Sequence, residues 1–308
     1  MKSRLTSAAY TLTVTAALLA FLLYPARCLA AVSDGVSLWA ASVLPAALPF
    51  LFLTGMFAGT PLFARLGRRL SPLFSALGVP GASGGCFLLS VLSGYPAGAK
   101  SAADLCGHFP RRARFYTACL ASTSGPAFLV GVLGTAMARS PALGWIMLLS
   151  HVLGVLLPVL LLARLRPAEG HAAIVPPAAS LPETLSASVL AVLTVGGAVA
   201  LFYAFGQMLL DVLAPLSLPA PVAALLTGLL EMTSGCAALL KKPSALSAAL
   251  CVFLVTFGGL CVLVQQWTFL AKLGISCPKF LAVKFVQALT AALLCYLIST
   301  WGAPWGAS

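Results

Sequence analysis

The chain has 308 residues, of which 61% are hydrophobic and 8% charged, and its mean hydropathy is +1.05. Soluble domains carry about 25% charged residues, so this composition excludes a soluble globular protein and an intrinsically disordered one. The net charge of +12 comes from Lys and Arg residues scattered between apolar runs, which excludes a basic nucleic-acid-binding face. Apolar runs of about 20 residues recur along the chain and predict an all-α polytopic membrane protein.

The first element is an apolar run from about Ala8 to Tyr24 that follows two basic residues, Lys2 and Arg4. We interpret it as a retained transmembrane helix within an N-terminal region 1–35. The sequence Cys28–Ala30 is a tolerable cleavage pattern and leaves a cleaved signal peptide as the alternative.

Seven stretches are long enough to cross a bilayer. They are residues 8–24, 36–59, 115–137, 142–163, 185–212, 245–271 and 280–300. The stretch 164–184 is rich in proline and is predicted to be a cytoplasmic linker. It divides the remaining chain into two repeats, 36–163 and 185–308.

Two segments are too short and too interrupted for simple crossings, namely 73–108 and 215–240. Each has an apolar stretch, a break rich in Gly, Ser, Thr or Pro, and a second short piece, which is typical of a re-entrant hairpin of two half-helices. With both hairpins re-entrant, most Lys and Arg residues, Lys284 among them, lie on the cytoplasmic side. The positive-inside rule therefore supports this topology.

The two repeats are predicted to be inverted, because each contains three crossings and one hairpin. Leu77–Pro80 precedes the first hairpin as Leu216–Pro219 precedes the second. A break at Ser122–Pro126 has a counterpart at Thr256–Gly259. Inverted repeats with broken helices are typical of secondary transporters, which bind substrate near the bilayer midplane at the breaks.

The candidate binding residues lie in the hairpins and the breaks. Those in the first hairpin are Ser93, Gly94, Tyr95, Gly98 and Lys100, and those in the first break are Ser122, Thr123 and Ser124. Those in the second repeat are Glu231, Thr233, Ser234, Thr256, Gly258 and Gln265. Half-helix N-termini and Lys100 favour an anion.

The charged candidates carry alternatives that the sequence leaves open. Lys100 is expected to be buried, with Asp104 one helical turn away as its partner, or to form a structural pair with Asp104 at the interface. Glu231 binds a coupling cation, carries a proton or pairs with Lys100. The three hydroxyls of the first break could instead satisfy backbone groups around Pro126.

Nine cysteines and three histidines show no metal-binding spacing, so we predict no metal site. The cysteines are expected to pack as small apolar residues, and His151 to form a hydrogen bond between helices. No nucleotide-binding or hydrolase motif occurs, so we expect a protein that is not an enzyme.

These motifs resemble the YlbJ (SpoVV) family of sporulation integral membrane proteins, which carry nucleoside-recognition Gate domains. The strings that carry the resemblance are Leu44–Phe50, Leu92–Lys100, Ser124–Pro126 with Phe128, Gly228–Gly235, and Thr256–Val262 with Gln265. The resemblance covers residues 38 to 300. It implies a fold similar to the core of concentrative nucleoside transporters.

The resemblance also implies a function, namely dipicolinate export from the mother cell across the outer forespore membrane, on which spore cortex formation and heat resistance depend. A multi-pass protein of the cell membrane is expected, with a small organic anion and the lipid bilayer as partners and no nucleic acid. No cofactor is expected, and the coupling ion (Na+ or H+) and the oligomeric state stay open. The Lys100→Ala variant is predicted to lose dipicolinate accumulation.

Two rival interpretations predict different behaviour. A nucleoside or nucleobase carrier of the same fold would be inhibited by nucleosides and indifferent to dicarboxylates. A membrane scaffold in spore assembly would tolerate replacement of the candidate residues.

Overall fold

The computed structural model describes residues 2–168 and 180–302, and every regular element within these residues is a helix. The centre of the predicted linker, 169–179, and the end of the chain, 303–308, lie outside the described residues. The predicted all-α class is therefore confirmed for the part of the chain that the structure describes.

The first half contains eight described α-helices and two π-helical segments. The α-helices are α1 (Lys2–Leu23), α2 (Pro25–Leu38), α3 (Leu44–Ala58), α4 (Pro61–Ala76), α5 (Ala82–Ser93), α6 (Tyr95–Cys106), α7 (Arg111–Leu120) and α8 (Pro141–Leu165). The π-helical segments are Trp39–Val43 and Ala127–Met137.

The second half contains six described α-helices and two short 3₁₀ turns. The helices are α9 (Leu181–Leu213), α10 (Ala220–Leu230), α11 (Met232–Leu239), α12 (Ala245–Phe257), α13 (Gly259–Leu270) and α14 (Cys277–Gly302). The turns are Ala214–Leu216 and Ala271–Leu273.

Several of these helices begin where hydroxyl side chains cap their first turn. Thr60 caps α4 and Ser140 caps α8, each followed directly by a proline at the first helical position. Ser180 forms a capping box with Glu183 at the start of α9, and Ser244 forms one with Ser247 at the start of α12. These boundaries are thus fixed by local sequence.

Five helical stretches among the described residues are long and apolar enough to cross a membrane. They are Pro25–Ala58, Pro141–Leu165, Leu181–Leu216, Ala245–Leu273 and Cys277–Trp301. The apolar part of α1, Val14–Leu23, is shorter, and the predicted crossing 115–137 is divided at residues 121–126. The number of crossings therefore stays a prediction.

Two predicted boundaries are wrong. The helical stretch that contains the second predicted crossing begins at Pro25 and not at 36, because Asp34 and Gly35 do not interrupt it. Gly35 packs against the backbone of α9, where a Cβ would lie 2.8 Å from the Ala200 Cα. The first hairpin begins at Ala82, because residues 73–76 belong to α4, whose buried Phe63 and Phe74 share one face.

The core consists of two apolar clusters that share helix α8. The first cluster includes α5, α6 and α7 with Val155 and Val159 of α8. The second includes α11, α12 and α14 with Met147 and Leu148 of α8. His151 lies on α8 between these two sets, fully buried. This buried polar side chain therefore lies where the two apolar clusters meet.

Candidate functional site

The first hairpin folds tightly around Gly94. This residue separates α5 from α6 with φ +83°, a backbone conformation that favours glycine. Next to it, Ser93 Oγ donates to Thr54 Oγ1 at 3.1 Å. On α6, Gly98 faces Ser90 of α5 and the Ala121 carbonyl so closely that an added Cβ would overlap both. The helices α5 and α6 therefore form a tight helical hairpin that small residues allow, and its re-entrant position in the membrane stays a prediction.

The tip of this hairpin reaches the second half of the protein through Tyr95. The Tyr95 side chain is buried, and its hydroxyl donates to the Val255 carbonyl near the end of α12. Tyr95 therefore links the first hairpin to the helix that leads into the second break.

Lys100 lies away from the buried centre, on the exposed face of α6. Its side chain is 62% exposed and its Nζ lies 2.6 Å from Asp104 Oδ2, one helical turn along. The predicted pairing with Asp104 is confirmed, whereas the predicted burial of Lys100 is wrong. The physical reason is helical phase, since Ala99 and Ala102 occupy the inward face of α6.

The first break, residues 121–126, is a buried stretch between two helices. Several of its backbone groups are free of helix hydrogen bonds and bond with neighbouring segments. Ser122 Oγ donates to Gln266 Oε1 of α13. Both the Thr123 amide and the Thr123 hydroxyl lie 3.2 Å from Ser90 Oγ. Gly125 packs directly on the Val91 carbonyl of α5. The three predicted hydroxyl residues are thus buried against the first hairpin and α13.

His151 joins the two breaks. Its Nε2 accepts the Ser124 backbone N–H at 2.9 Å, and its Nδ1 lies 2.8 Å from Thr256 Oγ1. Because Nε2 accepts, the neutral ring carries its proton on Nδ1 and donates to the Thr256 hydroxyl. The predicted hydrogen bond of His151 between helices is confirmed, and Ser124 and Thr256 are brought together through it.

The second hairpin turns at Glu231, between α10 and α11. The buried Glu231 carboxylate accepts the Thr233 N–H at 2.8 Å and the Ser234 N–H at 2.7 Å, and so caps α11. Ser234 Oγ donates back to the Glu231 carbonyl. The predicted pair between Glu231 and Lys100 is wrong in this structure, since Lys100 pairs with Asp104 and the Glu231 carboxylate accepts from backbone amides.

The second break lies at Gly258, which has φ +100° between α12 and α13. An added Cβ on the next residue, Gly259, would lie 3.0 Å from the Gly228 carbonyl and 3.4 Å from the Met232 amide. The second break thus packs on the second hairpin as the first break packs on the first. The Thr256–Gly259 break predicted from sequence is confirmed.

The sequence selected the wrong one of two adjacent glutamines for the buried network. Gln265 is half-buried and its Nε2 contacts the Cys261 sulfur on its own helix. Gln266 is fully buried, accepts from Ser122, and has an Nε2 without a hydrogen-bond partner. The side chains of neighbouring residues point in directions about 100° apart around the helix axis. Only the packing against other helices therefore determines which of the two glutamines is buried.

Sequence reasoning missed Lys284, which it had placed among the cytoplasmic charges. Lys284 of α14 is fully buried, with its Nζ 2.8 Å from the Ser122 carbonyl oxygen and 5.5 Å from the centre of the Tyr95 ring. Gln287, one turn further, is also buried and donates to the Cys119 and Val155 carbonyls. A signal was present, because Lys284, Ala288 and Ala291 recur at helical spacing on one small-residue face.

The structure therefore assembles one buried polar network from parts distant in sequence. Its members are Ser90, Tyr95, Ser122, Thr123, Ser124, His151, Thr256, Gln266 and Lys284. Among the residues that the structure describes, no ion pair involves Lys284 and no cluster of His, Cys, Asp or Glu could hold a metal. The network offers a cation, an unpaired amide donor and hydroxyls, which suits an anionic or polar ligand.

The apolar spans and the broken helices define the class of this molecule, an integral membrane protein with several apolar helices. The Gate family, described as nucleoside recognition, matches residues 40–142. That match includes the first hairpin and the first break.

The chain is also similar to the "Sporulation integral membrane protein YlbJ" of Bacillus subtilis (strain 168). The two are 26% identical over 322 aligned positions, covering 89% of this chain and 78% of the relative. The predicted resemblance is thereby confirmed. The comparison with solved structures gave no significant match.

Proposed function

We propose that this protein transports a small organic anion across a membrane, with its binding site at the buried network between the two breaks. The observation that carries the proposal is Lys284, a fully buried cation without an ion-pair partner among the described residues. A lysine within a membrane helix is costly, up to about 2.5–3.5 kcal/mol at the helix centre, and Lys284 lies in the first third of α14. A charge retained at that cost, beside a broken helix, favours an anionic ligand as its counterpart.

The arrangement of hairpins and breaks supports a transporter over a static membrane protein. Gly125 of the first break packs on the carbonyl of Val91, and Gly259 of the second break packs on that of Gly228. Each break therefore faces the hairpin of its own half, as expected for inverted repeats with re-entrant hairpins. Such repeats bind substrate at discontinuous helices near the midplane.

We assign roles to the candidate residues on this basis. Lys284 supplies the charge that the sequence assigned to Lys100, and Gln266 supplies the amide assigned to Gln265. Hydroxyls come from Ser122, Thr123, Ser124 and Thr256. The site is shaped by the two hairpins and the second break, through Gly94, Gly98, Glu231, Thr233, Ser234 and Gly258. The ammonium, amide and hydroxyl side chains donate hydrogen bonds to the carboxylate oxygens of the ligand, and we assign no enzymatic step.

Dipicolinate is the substrate that we propose, exported from the mother cell across the outer forespore membrane. The similarity to a sporulation membrane protein supports the cellular setting. An aromatic dicarboxylate fits a site with one ammonium, an amide donor and several hydroxyls. The second candidate is a nucleoside or nucleobase, which the Gate description favours.

The experiment is a thermal-shift measurement on the purified full chain in detergent, with dipicolinate and uridine as ligands. A ligand that binds the folded state raises the melting temperature in a concentration-dependent way. We expect dipicolinate to stabilise the wild type and the matched control Lys100→Gln, which alters an exposed lysine. Lys284→Gln should lose the shift, and Lys284→Arg should recover part of it.

Two outcomes would contradict this assignment. A shift with uridine and none with dipicolinate would favour the nucleoside carrier. A dipicolinate shift that is lost in Lys100→Gln and kept in Lys284→Gln would move the anion site to the exposed face of α6.

A further inference from the structure

The ammonium of Lys284 is bound in the way that a small cation is bound at a broken helix. Its Nζ lies 2.8 Å from the carbonyl oxygen of Ser122, which belongs to the non-helical stretch 121–126. The Tyr95 ring lies on another side, with its centre 5.5 Å from Nζ. A carbonyl freed by unwinding and an aromatic face are both good partners for a cation.

The elements packed around Lys284 contribute few titratable groups. These groups are Tyr95 of α6, Cys119 of α7 and His151 of α8. The buried carboxylate among the described residues, Glu231, is engaged by the backbone amides of Thr233 and Ser234. Within the part of the chain that the structure describes, the Lys284 ammonium is therefore stabilised as a bound cation would be, by the Ser122 carbonyl dipole and the Tyr95 ring and not by a carboxylate.

We propose that Lys284 occupies the place of a coupling sodium ion, and that the proton on its Nζ is the ion coupled to transport. This proposal rests on the proposed function. Sodium ions in transporters of this kind are held by the backbone carbonyls of unwound helices, and here the Ser122 carbonyl of the first break binds the Lys284 ammonium. A compact ammonium with three donors can fill such a position.

The proton then moves with the substrate. Protonated Lys284 holds the anion when the site is loaded. When the site opens to the other side, the anion leaves and the proton on Nζ passes to water. The site returns to the first side with the neutral amine, which takes up a proton there before the next anion binds, so one proton accompanies each anion and no sodium ion is required.

The test is accumulation of labelled dipicolinate in liposomes that contain the full chain. The membrane potential is held at zero with valinomycin and equal potassium concentrations on both sides, because a dicarboxylate that carries one proton moves a net negative charge. One-to-one proton coupling then predicts accumulation approaching about tenfold for a pH difference of one unit, since that difference is tenfold in proton activity. We expect the same accumulation when potassium replaces sodium on both sides. Protein-free liposomes correct for passive entry of the acid, and Lys284→Gln should accumulate no more than they do, whereas Lys100→Gln should match the wild type.

The opposite ion dependence would overturn the proposal. Accumulation that follows an imposed sodium gradient and ignores the pH difference would mean that sodium is the coupling ion, with dipicolinate transport itself intact. A second measurement decides the matter if dipicolinate does not move at all. Sodium chloride and potassium chloride are titrated against the wild-type melting temperature at equal ionic strength, and a sodium-specific rise would contradict the proposal whereas equal curves would support it.

Discussion

Two single residues, Lys284 and Gly98, determine the structure of the buried polar network, the first by its charge and the second by its small size. Lys284 places a charge against the Ser122 carbonyl, and Gly98 allows α6 to approach the backbone of the first break. The hydroxyl residues of the break were predictable from their unusual concentration in an apolar stretch. The burial of Lys284 was not predicted, because charge counting treats each lysine as a surface residue, and its surroundings come from three distant segments.

The close packing at Gly98 gives a prediction for stability. Gly98→Ala would force a methyl group into Ser90 and the Ala121 carbonyl, so we expect destabilisation of about 1–3 kcal/mol, the usual cost of overpacking. Gly197→Ala is the matched control, since nothing lies within 4 Å of its added Cβ and α9 is a regular helix there. The control should melt at or above the wild-type temperature. Equal melting temperatures for the two variants would contradict the described packing.

Among the elements, the breaks and hairpins were the most predictable features and the helix starts the least. Gly-Pro at 125–126 and Gly-Gly at 258–259 cannot continue a helix without cost, so their positions follow from sequence. The start of the second crossing was misjudged because Asp34 and Gly35 look like a boundary. The contact between Gly35 and α9 decides otherwise, and such contacts between elements cannot be read from local sequence.

The cap on α11 gives a prediction at this scale. Glu231→Ala leaves the buried amides of Thr233 and Ser234 without an acceptor, and we expect a loss of about 1–3 kcal/mol in unfolding free energy. Glu183→Ala removes a corresponding cap at α9 that is exposed, so water can replace the carboxylate and the effect should be smaller. Thermal unfolding in detergent compares the two. A larger loss in Glu183→Ala would argue against the buried position of Glu231.

At the scale of the whole molecule, the two halves are joined through the polar centre. Tyr95 reaches Val255, Ser122 reaches Gln266, and His151 bridges Ser124 and Thr256. The sequence predicted two halves, each with one hairpin and one break. It did not predict these connections, because they depend on how the halves face one another.

The inverted, re-entrant topology that we propose predicts which side of the membrane each loop faces. Arg68→Cys and Arg111→Cys flank the first hairpin and should react with an impermeant maleimide from the same side. Arg139→Cys and Lys241→Cys should react from the opposite side. The background is Cys277→Ser, because the other eight native cysteines are buried. If Arg111→Cys reacted from the same side as Arg139→Cys, the first hairpin would cross the membrane and the repeat model would fail.

The most direct test of the central claim is dipicolinate flux into liposomes that contain the wild-type chain, Lys284→Gln or Lys100→Gln, with uridine as the comparison substrate. Our account predicts dipicolinate entry above protein-free liposomes for the wild type and Lys100→Gln. It predicts background entry for Lys284→Gln and no uridine entry for any of the three. Uridine entry without dipicolinate entry, or dipicolinate entry that survives in Lys284→Gln, would contradict the account.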